Sequence, residues 1–127
     1  MLNTPPVFQI YVVGLVLDWL KDKGGVAWAA DAAEKRSGVI YDAIENSGGF
    51  YRCPVDARYR SRMNVVFRLP TEELEAEFVK RATAEGLDGL KGHRSVGGCR
   101  ASVYNAMPQA GAEALAGFMA DFAHRNG

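Results

Sequence analysis

The sequence predicts an α+β fold, a small sheet covered by helices. Three observations carry that prediction. Apolar residues recur at helical spacing in four stretches, most clearly Leu115, Phe118, Met119 and Phe122 at i, i+3, i+4 and i+7. Between the helical stretches, Met63, Val65, Phe67 and Leu69 alternate with Asn64, Val66 and Arg68, the period of a strand with one buried face. The length of 127 residues suits one domain with a core of its own.

The elements follow in order. Thr4-Pro5-Pro6 reads as a helix start, with a hydroxyl N-cap before proline at the first helical position. That helix runs to about Lys21 and stops near Gly24-Gly25. A second spans Trp28 to Asn46, with Ile40, Ala43 and Ile44 inward, and ends at Ser47-Gly48-Gly49. Asp56 to Arg60 reads as a polar loop ahead of the alternating strand. Thr71 caps a third helix whose first turn carries Glu72 and Glu73, favourable to the macrodipole. Leu74, Phe78 and Ala82 form its inner stripe, and Gly86 closes it at C′. Two short strands are expected next, Leu87 to Lys91 and Arg100 to Asn105, with the last helix after Pro108.

Charge and motifs narrow the function classes. Fifteen basic residues against fifteen acidic ones leave no net field, so neither nucleic acid nor a membrane surface is the expected partner. The longest apolar run, Val7 to Leu17, is interrupted by Gln9 and too short to cross a bilayer. No signal peptide is apparent, which makes the expected location cytoplasmic, with Cys53 and Cys99 as reduced thiols. No metal-ligand cluster, Walker loop or dinucleotide fingerprint occurs, and no serine or cysteine nucleophile stands beside a credible base. The chain offers no catalytic centre of its own.

It does offer anion-binding groups. Lys91 to Ser102 packs Arg94, Arg100, Lys91 and His93 around Gly97-Gly98. Each arginine presents a planar fork that matches carboxylate or phosphate, and the glycines allow positive φ or a close backbone approach. Ser95 and Ser102 add hydroxyls. A small ligand with two anionic ends fits such a turn; a solvated basic turn is the plainer alternative. Asn3-Thr4, just ahead of a helix N-terminus, is a second possible anion site, against simple capping by Thr4. His124 suits the dipole of a last helical turn, and Arg58, Arg60 and Arg62 suit surface ion pairs. Trp19, Trp28, Tyr51 and Tyr59 read as core or interface aromatics.

The run from Lys91 to Pro108 closely resembles the C-terminal signature of the phosphoserine aminotransferase family, as do Asn3-Thr4-Pro5-Pro6 and Ser61-Arg62-Met63-Asn64-Val65. Order and spacing of these blocks hold over essentially the whole chain. Cys99 stands where the family usually has methionine, and Val66 where it often has proline. The resemblance implies a class V, pyridoxal 5′-phosphate-dependent enzyme of the aspartate-aminotransferase fold type, working as a homodimer. Residues 1–24 would be the helix leading into its C-terminal small domain, and residues 25–127 that domain. The large cofactor domain, with its Schiff-base lysine, would lie outside this chain, so these residues alone should be inactive.

The implied reaction passes an amino group between glutamate and 3-phosphohydroxypyruvate for serine synthesis, and serves pyridoxine synthesis through a phosphorylated hydroxythreonine. Residue by residue, Arg100 matches the arginine that holds the substrate α-carboxylate. His93 and Arg94 match the pair that reaches the substrate phosphate in the partner subunit's site. Asn3 and Thr4 match residues that bind the cofactor phosphate across the dimer interface. The alternative is a non-catalytic anion-binding or interaction domain of the same fold.

Overall fold

The computed structural model describes residues 3–127. The chain divides into a first unit reaching Ala32 and a second, Ala33–Gly127. The first contains α1 (Val7–Asp22) and the start of α2 (Gly25–Glu45). Trp19 and Trp28 meet edge to face within it, their ring centroids 5.5 Å apart. The helix starts later than the sequence predicts. Its N-cap is Pro6, no side chain caps it, and Thr4 stands outside. The reason is steric: Thr4 and Pro5 each precede a proline, whose Cδ disfavours helical ψ in the residue before it. No residue of α1 is buried.

The second unit holds the rest of α2, then β1 (Asn64–Phe67), α3 (Glu72–Ala84), β2 (Cys99–Ser102) and α4 (Gln109–Asn126). A single 3-10 turn at Ala57–Tyr59 occupies the expected polar loop, with the Asp56 carboxylate accepting from the Arg58 amide. β1 and β2 pair antiparallel in the register Asn64 to Ser102, Val65 to Ala101, Val66 to Arg100 and Phe67 to Cys99. This is the predicted α+β class, a small sheet with helices over it. The expected strand from Leu87 to Lys91 is a correction: it is reduced to one bridge, between Lys91 and Cys99. Gly89, at φ +77°, turns the backbone out of an extended path, so the pairing cannot run further back.

The alternation in β1 does what the sequence predicts. Val65 and Phe67 are buried while Asn64 and Val66 lie on the half-exposed face, and in β2 Cys99 and Ala101 are buried while Arg100 and Ser102 are not. Phe78 of α3 sits at the centre of the core, its ring 5.6 Å from Phe67, 5.1 Å from Phe118 and 5.2 Å from Phe122. The Tyr51 hydroxyl donates to the Met119 carbonyl at 2.9 Å, which satisfies the polar end of a buried ring. Tyr59, by contrast, is exposed. Thr71 caps α3 as predicted, accepting from the Leu74 amide at 3.2 Å. A buried Arg36 on α2 donates through Nε to the Val103 carbonyl at 3.3 Å, fixing the end of β2. Among the described residues no helix is long and apolar enough to cross a membrane, and no metal-binding cluster occurs.

Candidate functional site

The loop between Lys91 and Cys99 closes on itself. The Gly92 amide donates to the Gly98 carbonyl at 2.8 Å, and the Val96 and Gly97 amides reach the His93 carbonyl at 2.9 and 2.8 Å. Gly97 and Gly98 take φ of +76° and +71°, where a β-carbon would be strained. A β-carbon on Gly98 would also lie 2.7 Å from Arg68 Cδ and 3.0 Å from the Phe67 carbonyl oxygen, and one on Gly92 would strike the Gly97 and Gly98 carbonyls. Positive φ was expected. The close approach, however, is to the loop's own backbone and to Arg68.

Arg68 holds this loop from below. Its Nη1 donates to the Val96 carbonyl at 3.0 Å, while Nε lies 2.7 Å from the carboxylate of Glu75 on α3. Glu75 is buried and also accepts from the Leu69 amide at 3.3 Å. A cavity of about 400 Å³ opens here, lined in part by Arg68, Glu75, Lys91, His93 and Arg94.

His93 and Arg94 stand exposed at the start of the loop. Ser95 orients the histidine, its hydroxyl 2.7 Å and its amide nitrogen 3.3 Å from Nδ1. An amide can only donate, so Nδ1 is an acceptor and the neutral ring carries its proton on Nε2. Arg100 follows on β2, on the face away from the core, and its Nε is shielded from water without a partner. Its neighbour Cys99 faces the other way. Burial pushes that thiol up to about 12, with the Glu75 charge adding to the shift and Arg68 opposing it.

Asn3 and Thr4 are exposed residues of the first unit, ahead of α1. Arg58, Arg60 and Arg62 form the expected surface pairs with Asp56, Glu45 and Glu34. Cys53 and Cys99 are free thiols. Three groups have polar roles that the sequence alone does not assign. Arg68 and Glu75 make a half-buried pair, and Arg36 is a buried cation. Asn64 Oδ1 accepts from the Ser102 hydroxyl at 3.1 Å and the Tyr104 hydroxyl at 3.2 Å. The strand period was the available signal for the last, since it sets Asn64 and Ser102 on the Arg100 face.

Arg100 is not among the residues that line the cavity of His93 and Arg94: its half-buried side chain, with Nε unpaired, and the exposed His93 and Arg94 are separate groups, each suited to an anion. The model of the family described as aminotransferase class-V matches residues 1–115. The chain is 59% identical over 127 residues to a phosphoserine aminotransferase of Laribacter hongkongensis, covering 100% of this chain and 35% of that protein. It is 55% identical over 125 residues to one from Herpetosiphon aurantiacus, covering 98% and 35%. Among solved structures, the phosphoserine aminotransferase from Bacillus circulans subsp. alkalophilus superposes with a TM-score of 0.95 at 55% identity, over 98% of this chain and 35% of that one. The pyridoxal-phosphate-bound enzyme from Trichomonas vaginalis gives 0.86 at 38% identity, over 94% and 34%. The chain thus spans about a third of the length of the curated relatives it matches. The family model matches most of the chain and the fold superposes over nearly all of it, and the chain belongs to the class-V aminotransferase family.

Proposed function

We propose that this chain is the C-terminal, substrate-binding part of a cytoplasmic, homodimeric phosphoserine aminotransferase, with residues 25–127 as its small domain and residues 1–24 as the helix leading into it. The reaction exchanges an amino group between glutamate and 3-phosphohydroxypyruvate in serine synthesis, and the phosphorylated hydroxythreonine of pyridoxine synthesis is handled by the same groups. The observation that carries the reading is Arg100. Its half-buried side chain lies on the sheet face away from the core and its Nε has no partner, so the guanidinium has donors left for an acceptor. The α-carboxylate common to glutamate and phosphoserine supplies that acceptor as a bidentate pair.

His93 and Arg94 serve the other anion. With Nδ1 occupied by Ser95, the histidine offers Nε2–H outward, and the Arg94 fork adds charge. These two bind the substrate phosphate at the site of the partner subunit.

Asn3 and Thr4 hold the phosphate of pyridoxal 5′-phosphate. The donor set fits that group: an amide, a hydroxyl and the first-turn amides of α1 after Val7, whose own N–H is taken by the Pro5 carbonyl. When bound, the cofactor supplies the electron sink for amino transfer. The test is a complete enzyme in which these 127 residues replace the corresponding third of the Laribacter relative. Glutamate-dependent amino transfer to 3-phosphohydroxypyruvate, with none from the 127-residue polypeptide alone, is the expected result. Equal affinity of that enzyme for serine and phosphoserine would overturn the reading.

A further inference from the structure

The face of the sheet that bears Arg100 carries a second polar group whose orientation is fixed. Register places Asn64 opposite Ser102 and Val66 opposite Arg100, so Asn64 and Arg100 are diagonal neighbours on one face. Such pairs have α-carbons roughly 7–8 Å apart, within reach of a long side chain and a small ligand between them. Asn64 is held from both ends. Its backbone amide donates to Ser61 Oγ at 3.1 Å, and the Ser61 carbonyl is held in turn by the Tyr41 hydroxyl at 2.9 Å. Its Oδ1 accepts from both the Ser102 and the Tyr104 hydroxyls. A carbonyl oxygen has two lone pairs, so this acceptor is full. Two hydroxyls are more than a structural staple between paired strands requires, since the backbone ladder already joins them. Their effect is to hold the amide oxygen between the two hydroxyls, with its NH₂ left to donate.

We propose that Asn64 is the second arm of the carboxylate cradle, donating an amide N–H to the substrate carboxylate that Arg100 holds, with Ser102 and Tyr104 as positioning residues that set its orientation. The inference rests on the reading of Arg100 as the carboxylate-binding residue, and adds a specificity element to it. Arg100 supplies charge, which attracts any anion. A neutral, oriented amide adds direction, favouring a planar carboxylate lying in the plane of the sheet face over a tetrahedral anion.

The test uses the complete chimeric enzyme, titrated with glutarate as an unreactive dicarboxylate and followed by steady-state kinetics with glutamate. Asn64→Ala should weaken glutarate binding and raise KM for glutamate roughly ten-fold, with kcat changed less than two-fold. Asn64→Asp keeps an acceptor for both hydroxyls but removes the donors, so it should bind glutarate more weakly than Asn64→Ala. Ser102→Ala and Tyr104→Phe should each give a smaller loss, about three-fold, by freeing the amide. A purely structural role predicts the reverse order, with Asn64→Asp near the parent and Asn64→Ala worst, and that order would overturn the proposal. So would unchanged glutarate affinity in Asn64→Ala. Arg100→Lys separates the two levels. If it too leaves glutarate binding intact, the reading of Arg100 fails; if it weakens binding while Asn64→Ala does not, only the Asn64 proposal fails. Should Asn64→Ala fold poorly, the Tyr104→Phe and Ser102→Ala enzymes decide, since an unchanged KM in both would overturn the positioning.

Discussion

Arg68 Nε lies 2.7 Å from Glu75 Oε1, and this one pair joins β1, α3 and the loop bearing His93 and Arg94. Glu75 is buried, whereas the Arg68 side chain keeps 30% of its exposure, so solvent screens part of the attraction. Glu75→Ala would leave a half-buried cation and an unpaired Leu69 amide. We expect a destabilisation of about 1–3 kcal/mol, and Glu75→Gln, which preserves an acceptor, should cost less. Thermal unfolding measures both. Hydrogen exchange at Val96 and Gly97 should quicken in Glu75→Ala, because Arg68 loses the partner that aims it at the loop.

Gly92→Ala should disturb the loop more than its small volume implies. The new methyl would meet the carbonyls of Gly97 and Gly98, and these are backbone atoms that cannot swing aside. The Gly92 to Gly98 hydrogen bond would open, costing about 1–3 kcal/mol and displacing His93 and Arg94. Gly14→Ala, where a β-carbon meets nothing within 4 Å, is the control and should be harmless. Comparing their melting temperatures and phosphoserine affinities checks this.

Cys99 makes the fold sensitive to alkali. Burial raises its thiol from the ordinary value of 9.0 to about 12, so the folded chain keeps a proton that the unfolded chain releases. This contribution to stability is complete below about pH 9 and is lost as pH rises towards 12. Burial raises the Tyr51 phenol as well, and it acts in the same sense from pH 10 upward. Denaturant titrations should show the stability gap between the parent and Cys99→Ala narrowing over pH 9–12. At pH 8 a thiol reagent should modify the half-buried Cys53 and spare Cys99.

α1 exposes Phe8, Ile10, Tyr11, Val13, Leu15 and Leu17 among others. A helix apolar on all sides is stable only when covered. The 127-residue polypeptide should therefore self-associate, and Val13→Lys with Leu17→Lys should reduce that. Sedimentation velocity at rising concentration measures it, and a monomer at all concentrations would contradict the expectation.

The sequence made some of these features readable and hid others, for physical reasons. The Thr71 cap, the Gly86 stop and the stripe from Leu115 to Phe122 are local signals, and local signals determined α3 and α4. The alternation from Met63 to Leu69 marked both faces of β1, because one face is fully buried. What stayed hidden depends on pairing between distant residues. Glu75 looks like any first-turn acid of α3 until Arg68 is placed against it. Ser95 and Ser102 looked like ligand donors, yet one hydroxyl is spent on His93 and the other on Asn64. α1 starts after Pro6 and not at Thr4 because two consecutive prolines act on the residues before them, which outweighs the capping preference of Thr4.

The division of labour between Arg100 and Arg94 is the central claim, and kcat/KM for the two half-reactions of the complete enzyme tests it most directly. Arg100→Lys keeps the charge and loses the planar fork, so it should lower kcat/KM for glutamate and phosphoserine alike. The loss of a charge-assisted bidentate contact is about 1.5–3 kcal/mol, or roughly ten- to a hundred-fold. Arg94→Ala should lower kcat/KM for phosphoserine more than for glutamate. If Arg94→Ala instead weakened both substrates equally, or if Arg100→Lys spared glutamate, the assignment of one anion to each arginine would be contradicted.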